Sequence, residues 1–268
     1  MNTYDLHQFK SDLHELNIIL DEKQISQFIK YYELLVEWNS FMNLTAITDY
    51  EEILKKHFID SLCFVKAYSL EGNGKAYHAT SENASGKQIE KEWDSPETEG
   101  IKLIDIGTGA GFPGIPLKIA FPHLKITLLD SLQKRVKFLD EVITKLGLHG
   151  IEAVHGRAED YAKPDKLREK YDLAVSRAVA NLSTLSEYCI PFVKKDGKFI
   201  CYKSEKVSEE LVKAEKAIAI LGGKIEGKVD YTLPFSDIYR NLIIIQKVKA
   251  TPVRFPRKAG IPSKEPIL

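Results

Sequence analysis

The sequence predicts an α/β protein with a mostly parallel, doubly wound sheet, a preceding helical segment and an antiparallel strand near the C-terminus. The first observation is that strand-like and helix-like patterns alternate from residue 101 onward, which is typical of parallel sheets with helices on both faces. The second is that short runs such as LAV and FICY are apolar throughout, as in strands buried on both faces. The third is an apolar period of three and four residues before residue 70, which indicates helices.

The N-terminal segment, residues 1–70, is predicted to be helical and to pack on the core. Periodicity indicates one amphipathic helix over 25–36 and a second over 50–68, joined by the compact connector WNSFMNLTAIT. The predicted apolar face of the first helix consists of Ile25, Phe28, Ile29, Tyr32, Leu35 and Val36.

Residues 71–100 have little periodicity and are rich in Gly, Ser, Glu, Asn and Lys. Seven acidic residues against three lysines give this segment a net charge of −4. We interpret it as a polar, mobile surface insertion. A lid over a binding site is the alternative, and only Trp93 and Tyr77 support it.

The remaining core, residues 101–249, is predicted to contain six strands and four helices in alternation. The expected strands are 101–107, 125–130, 151–156, 171–178, 198–204 and 240–248, and the expected helices are 113–120, 131–146, 182–193 and 205–221. The last strand, RNLIIIQKV, follows a Gly- and Pro-containing stretch without helical period, so we expect it to insert antiparallel.

Composition excludes several classes of protein. No apolar run approaches the ~20 residues of a membrane helix, and the N-terminus lacks a basic segment followed by an apolar one, so we expect a cytoplasmic protein without membrane contact. Cys63, Cys189 and Cys201 are widely spaced among apolar neighbours, which favours reduced core residues over disulfides or a metal site. The net charge of zero points to no particular partner.

A glycine-rich stretch, LIDIGTGAGFPGIP, spans the end of the first predicted core strand and the turn after it. Gly109, Gly111 and Gly114 have the G-x-G-x-x-G spacing of dinucleotide-binding turns, although a tight turn that binds nothing has the same spacing. Asp105, two residues before Gly107, extends the pattern to D-x-G-x-G-x-G, which resembles motif I of the Rossmann-like class I methyltransferases. This resemblance implies S-adenosyl-L-methionine as cofactor.

Two further positions are candidates for contacting a nucleoside. Asp130 ends the predicted strand KITLLD, where a carboxylate can accept from two vicinal ribose hydroxyls. An N-cap for the helix starting near Ser131 is a compatible alternative role. Ala158 and Glu159, in GRAED after the third strand, are candidates for flanking an adenine, and a solvated acidic turn is the alternative.

The stretch after the fourth core strand narrows the chemistry. It reads SRAVANL, without the Asn/Asp-Pro-Pro-aromatic motif of exocyclic-amine methyltransferases, and the chain lacks the Pro-Cys pair of enzymes that attack a pyrimidine carbon. Transfer to an atom that is already nucleophilic, such as a purine ring nitrogen, is the remaining chemistry. That reaction needs positioning and desolvation but no general base.

Several segments together resemble the bacterial 16S rRNA guanine-N7 methyltransferases, the glucose-inhibited division protein B family. They are WNSFMNLTAIT, HFIDSL, LIDIGTGAGFPGIPL, LLDSLQKRVKFL, SRAVANL and PRKAGIPSKEP, and the resemblance runs over nearly the whole chain except 71–100. It implies methylation of one guanine N7 in 16S rRNA, naked or in the 30S subunit. We expect the enzyme to be a monomer without a metal ion. The insertion departs from the short connector expected of the family, and we predict that deleting 72–98 leaves cofactor affinity intact.

The resemblance also implies roles for individual residues. Those expected to contact the cofactor are Gly107, Phe112, Asp130, Ser131, Leu132, Ala158, Glu159 and Arg177. No residue is assigned as a catalyst, but Asn39, His57, Lys203 and Arg240 are candidates for positioning the substrate.

Alternatives stand beside these roles. Asn39, Asn43, His57 and Asp60 resemble the pocket wall of the family, whereas a buried polar pair of His57 and Asp60, on one helix face, could only orient the helix. Lys203 and Arg240 lie at strand ends and could contact phosphate, steer the substrate base electrostatically or be exposed charges.

The tail, residues 250–268, is basic. The last 22 residues hold six basic residues against Glu265 alone, with Phe255, Pro256 and Pro262 interleaved among them. This composition favours phosphate contacts to RNA, and a loosely packed extension is compatible with them.

Overall fold

The computed structural model describes residues 4–70, 100–177, 180–204 and 207–267. The predicted insertion, apart from Gly100, lies outside the described residues. The helices are α1 (His7–Glu15), α2 (Glu22–Met42), α3 (Tyr50–Ile53), α4 (Asp60–Leu62), α5 (Gly114–Ala120), α6 (Gln133–Leu146), α7 (Ala158–Tyr161), α8 (Leu182–Cys189), α9 (Ser208–Ile220) and α10 (Ile261–Lys264). The strands are β1 (Lys102–Ile106), β2 (Lys125–Asp130), β3 (Ile151–His155), β4 (Tyr171–Ser176), β5 (Val193–Lys203), β6 (Gly223–Thr232) and β7 (Tyr239–Lys247).

The described strands form one seven-stranded sheet in the order β3-β2-β1-β4-β5-β7-β6. Neighbours from β3 to β5 are parallel, and β7 runs antiparallel to both β5 and β6. The chain builds outward from β1 in one direction through β2 and β3 and in the other through β4 and β5. The prediction of a doubly wound sheet with an inserted antiparallel strand is confirmed.

The sequence does not predict strand β6, because the stretch before the final strand contains Gly and Pro and shows no helical period. It is the edge strand next to β7, and its burial alternates residue by residue along its length. Glycines at 223 and 227 obscure the period-two pattern that Ile225, Val229 and Tyr231 otherwise display.

The N-terminal helices belong to the main hydrophobic core, together with the α5 and α6 face of the sheet. Two glutamines of α2 attach it to the ends of core helices, because Gln24 donates to the carbonyls of Ile119 and Ala120 and Gln27 donates to that of Leu146. These carbonyls have no partner within their own helices, so the side chains cap α5 and α6. The start of α2 is itself closed by a capping box between Asp21 and Gln24.

Between α3 and α4 the helix widens into a π-helical turn over Leu54–Ile59, followed after α4 by a 3₁₀ turn over Cys63–Lys66. Such π turns are rare and often lie at functional sites. This one contains His57, which it presents toward the carboxyl end of the sheet.

Candidate active site

The edge of the sheet where β1 and β4 lie side by side is the switch point of the topology, since the connections leave it in opposite directions. Ligands of doubly wound folds bind outside the carboxyl ends of the strands at this point. The glycine loop follows β1, Asp130 ends β2 and Arg177 follows β4. The predicted cofactor residues are therefore gathered at one edge.

The glycines of the loop are required for different reasons. Gly107, Gly109 and Gly111 have φ angles of 70°, 63° and 100°, which side chains rarely adopt. A Cβ on Gly111 would lie 2.8 Å from the hydroxyl of Tyr31, whereas one on Gly109 would meet nothing within 4 Å. Packing against the protein thus explains Gly111, whereas Gly109 faces open space.

Asp105 lies beneath the loop and organises it. Its Oδ2 accepts from the Thr108 hydroxyl at 2.7 Å and from the Gly114 amide at 2.9 Å. Its Oδ1 is buried and has no hydrogen-bond partner within the described part of the chain. Burial raises the pKa of Asp105 from 3.8 to about 7. A buried acceptor without a donor suits a ligand that carries a donor or a positive charge.

Asp130 is only 3% exposed, and both of its oxygens accept from main-chain amides. Oδ2 accepts from Gly109 and Oδ1 from Leu132, each at 2.9 Å, while Arg135 lies 3.5 Å from Oδ2. Asp130 is not an N-cap, because α6 begins at Gln133 after Leu132. A carboxylate has about four lone-pair positions, so it can still accept from ribose hydroxyls.

Ser131 and Leu132 follow Asp130 and are both exposed at the rim of the crevice. The turn between β3 and α7 lies beside them, because the Gly156 amide donates to the Asp130 carbonyl at 2.9 Å. Ala158 begins α7. These positions are compatible with the predicted contacts to a nucleoside, which remain a prediction.

Glu159 is not part of a solvated turn. It is 6% exposed, and its carboxylate accepts from the Gly260 amide of the C-terminal tail at 2.9 Å. Its side chain is therefore engaged in a hydrogen bond within the protein. The predicted contact of Glu159 with the adenine is then left to its main chain.

Arg177 joins the sheet to the N-terminal helices. Its guanidinium donates to the His57 carbonyl at 3.3 Å and the Ser61 hydroxyl at 3.1 Å, and it lies 3.2 Å from His57 Nδ1. It also lies 5.3 Å above the Phe112 ring, with Asp60 Oδ2 at 3.6 Å. Arg177 thus contacts His57 and Asp60, two of the four residues that were predicted to form the pocket wall.

His57 is held on three sides. Its ring stacks on Phe112 with centroids 4.6 Å apart, and its Nε2 lies 2.8 Å from the Thr45 hydroxyl. Asn39 extends the chain of contacts by accepting from the Thr45 amide at 2.9 Å. Burial and the positive charge of Arg177 lower the pKa of His57 from 6.5 to about 3. The imidazole is therefore neutral at physiological pH and is a weak base, with one ring N–H and one acceptor nitrogen.

The other basic candidates are also engaged with acids. Arg240 donates from Nε to Asp60 Oδ2 at 3.1 Å, and Lys203 lies 2.8 Å from Glu210 and donates to the Ala180 carbonyl. The possibility that Lys203 and Arg240 are exposed, unpaired charges is therefore wrong. Phosphate contact by either one would require sharing its charge with a carboxylate.

Two tyrosines that were not among the predicted site residues support the site from below. The hydroxyl of Tyr31 donates to the Ala110 carbonyl of the glycine loop, and its ring stacks on Phe58. Tyr202 donates to the Ser61 carbonyl at 2.8 Å. Helical spacing could have identified Tyr31, because it follows Phe28 by three residues and precedes Leu35 by four.

Among the residues placed in the structure, no cluster of His, Cys, Asp or Glu could hold a metal ion. No helix among them is long and apolar enough to span a membrane. The three cysteines are free and buried, as predicted.

The topology, the glycine loop at the switch point and the acidic end of β2 together define a Rossmann-like methyltransferase. The family model for GidB, rRNA small subunit methyltransferase G, matches residues 24–75 and 91–232. This chain belongs to that family. The model leaves out residues 76–90, which lie within the segment predicted to be an insertion.

Curated relatives extend the match to nearly full length. A protein named Ribosomal RNA small subunit methyltransferase G from Lachnoclostridium phytofermentans is 50% identical over 264 residues, which is 98% of each chain. A protein of the same name from Alkaliphilus metalliredigens is 47% identical over 96% of this chain and 97% of its own. A solved structure of M. jannaschii TYW2 in complex with AdoMet covers 56% of this chain and 70% of that one, with 14% identity and a TM-score of 0.46. That similarity is too low to assign a function.

Proposed function

We propose that this protein transfers the methyl group of S-adenosyl-L-methionine to N7 of one guanine in 16S rRNA of the small ribosomal subunit. The observation that carries the proposal is the near full-length similarity to proteins named Ribosomal RNA small subunit methyltransferase G. The glycine loop at the switch point supports the cofactor part of the proposal independently.

The residues at the loop fit this cofactor. The unpartnered Oδ1 of Asp105 is a buried acceptor suited to the ammonium group, and the open space at Gly109 lets a ligand approach the main chain. Asp130 would hold the ribose while it also fixes the Gly109 amide. When bound, the cofactor supplies an electrophilic methyl group on a positively charged sulfur.

A target that loses no proton suits the residues that the structure describes around Arg177. His57 is a weak base, because its pKa is lowered to about 3, and its nitrogens contact Thr45 and Arg177. Guanine N7 has a lone pair and loses no proton when it is methylated, so the site has only to align it with the methyl group. Asn39, His57, Lys203 and Arg240 are proposed as positioning residues that keep this wall rigid, with Arg177 closing the site.

The partner is proposed to be 16S rRNA, and the enzyme is proposed to act as a cytoplasmic monomer. Transfer of tritium from labelled cofactor should be measured on naked 16S rRNA, on 30S particles and on protein extract. Label should enter the RNA in one of the first two, and cleavage chemistry specific for N7-methylguanosine should place it at one nucleotide. Label in protein alone would contradict the proposal.

Binding calorimetry separates this enzyme from a dinucleotide-binding regulator. S-adenosylhomocysteine should bind, and NAD should bind far more weakly. Tight binding of NAD alone would favour the regulator.

A further inference from the structure

The C-terminal tail, predicted to be an RNA-binding extension, is folded onto the face of the sheet that carries α8. Arg257 forms a forked ion pair with Glu187 of α8, donating from Nε at 2.9 Å and from NH2 at 2.6 Å. Glu187 is fully buried, and the main-chain amide of Arg257 donates to it as well. A buried carboxylate is costly unless it is paired, so this contact anchors the tail.

The anchored tail reaches the turn that is expected to contact the cofactor. Beyond Arg257, Gly260 has a φ of 84° and donates its amide to Glu159 of α7 at 2.9 Å. The Pro262 carbonyl then accepts from the Thr184 hydroxyl at 3.0 Å, which fastens the chain to α8 again. The segment that contacts Glu159 is therefore attached to α8 on both sides, at Arg257 and at Pro262.

Helix α7 is only four residues long, so its position depends on its neighbours. On one side, the Gly156 amide before it donates to the Asp130 carbonyl at 2.9 Å, and the His155 ring lies 3.1 Å from the Ser131 carbonyl. On the other side, Glu159 accepts from the tail. The turn between β3 and α7 thus spans the distance between the ribose position and the tail.

We propose that residues 251–267 form a C-terminal strap that positions the β3–α7 turn for the adenine end of the cofactor, through the Arg257–Glu187 anchor and the Gly260–Glu159 hydrogen bond. This inference rests on the proposed function for the identity of the cofactor. It assigns Arg257, Gly260 and Glu187 as positioning residues and gives the Glu159 side chain a role in holding the turn. Glu187 neutralises the charge of Arg257 within the protein, so Arg257 is not expected to bind RNA. The strap is expected to affect the affinity for the cofactor.

Calorimetric titration of the full chain with S-adenosylhomocysteine tests this. Arg257→Met removes the anchor and Glu159→Met removes the acceptor, and each should raise the dissociation constant about tenfold. Glu159→Gln keeps an acceptor oxygen and should change it less than about threefold. Arg254→Met is the matched control, because Arg254 is an exposed arginine of the same tail, and it should leave cofactor binding unchanged.

A double variant distinguishes positioning from general loss of stability. If both residues act through one turn, their effects should not add. The double variant Arg257→Met with Glu159→Met should then have a dissociation constant for S-adenosylhomocysteine within about twofold of that of the weaker-binding single variant. The KM for RNA should stay within about twofold of the original in each variant. If Arg257→Met does not fold, Thr184→Val loosens the same strap at Pro262 and replaces it.

Unchanged cofactor binding in folded Arg257→Met and Glu159→Met would overturn the inference, as would full additivity in the double variant. A raised KM for RNA with unchanged cofactor binding would also overturn it and make the tail an RNA contact. Failure of the unmodified chain to bind S-adenosylhomocysteine would overturn the proposed function together with this inference. The two failures are therefore distinguishable.

Discussion

The guanidinium of Arg177 lies 3.2 Å from Nδ1 of His57, so the carboxyl end of β4 is joined to the π-helical turn of the N-terminal segment. Arg177→Lys keeps the charge but loses the planar fork that reaches His57 and Ser61 together. We expect kcat/KM for methyl transfer to fall about 100-fold, because a loosened wall misplaces the target base. Steady-state kinetics check this, with Arg254→Lys as a control at an exposed position. Equal activities of the two variants would contradict the account.

His57 makes the fold sensitive to acid. Its pKa is about 3 in the folded chain and near 6.5 when unfolded, so the unfolded state binds a proton first as the pH falls. The free energy of unfolding should decrease between pH 6.5 and pH 3 for this reason. His57→Gln should show a smaller decrease in urea denaturation at pH 7 and pH 5. His149→Gln, at an exposed position, should follow the parent, and a parallel fall in all three proteins would contradict the assignment.

Asp105 acts in the opposite direction. Its folded pKa of about 7 lies above the ordinary value of 3.8, so the folded state keeps a proton that the unfolded state releases. Its contribution to stability is present at low pH and is lost as the pH rises from about 4 to about 7. Asp105→Asn should flatten this part of the stability profile and weaken S-adenosylhomocysteine binding at least about tenfold. Asp165→Asn, at an exposed position, should do neither.

Asp130 links the glycine loop to the end of β2 through the amides of Gly109 and Leu132. Asp130→Ala removes both acceptors and the proposed ribose contact, and we expect cofactor affinity to fall about 100-fold. Asp130→Asn keeps one acceptor oxygen and should lose less. Calorimetry measures both, and an unchanged affinity of Asp130→Ala would show that the cofactor does not use this carboxylate.

Deletion of residues 72–98 remains a prediction from composition, since that segment lies outside the described residues. The two ends of the deleted segment lie near each other and can be joined, because Gly100 and Leu70 both lie against His123. We expect the shortened chain to bind S-adenosylhomocysteine within about twofold of the full chain. A large loss of affinity would favour the alternative of a lid.

The fold could be predicted largely from the sequence because parallel strands buried on both faces leave apolar runs such as LAV and FICY. The edge strand β6 could not be identified in this way, since only every second residue is shielded and glycines interrupt the alternation. The residues predicted for the site lie at one edge of the sheet, but the sequence does not predict their pairings. Nothing local to Lys203 points to Glu210, and nothing local to Arg257 points to the buried Glu187, because tertiary packing decides both ion pairs.

The most direct test of the central claim is mass spectrometric mapping of 16S rRNA from cells that lack this protein, with and without restoration of the unmodified chain or of Asp130→Ala. One N7-methylguanosine should disappear without the protein, return with the unmodified chain and stay absent or strongly reduced with the variant. A guanine-N7 pattern that is the same in the parent cells and in these three samples would contradict the account.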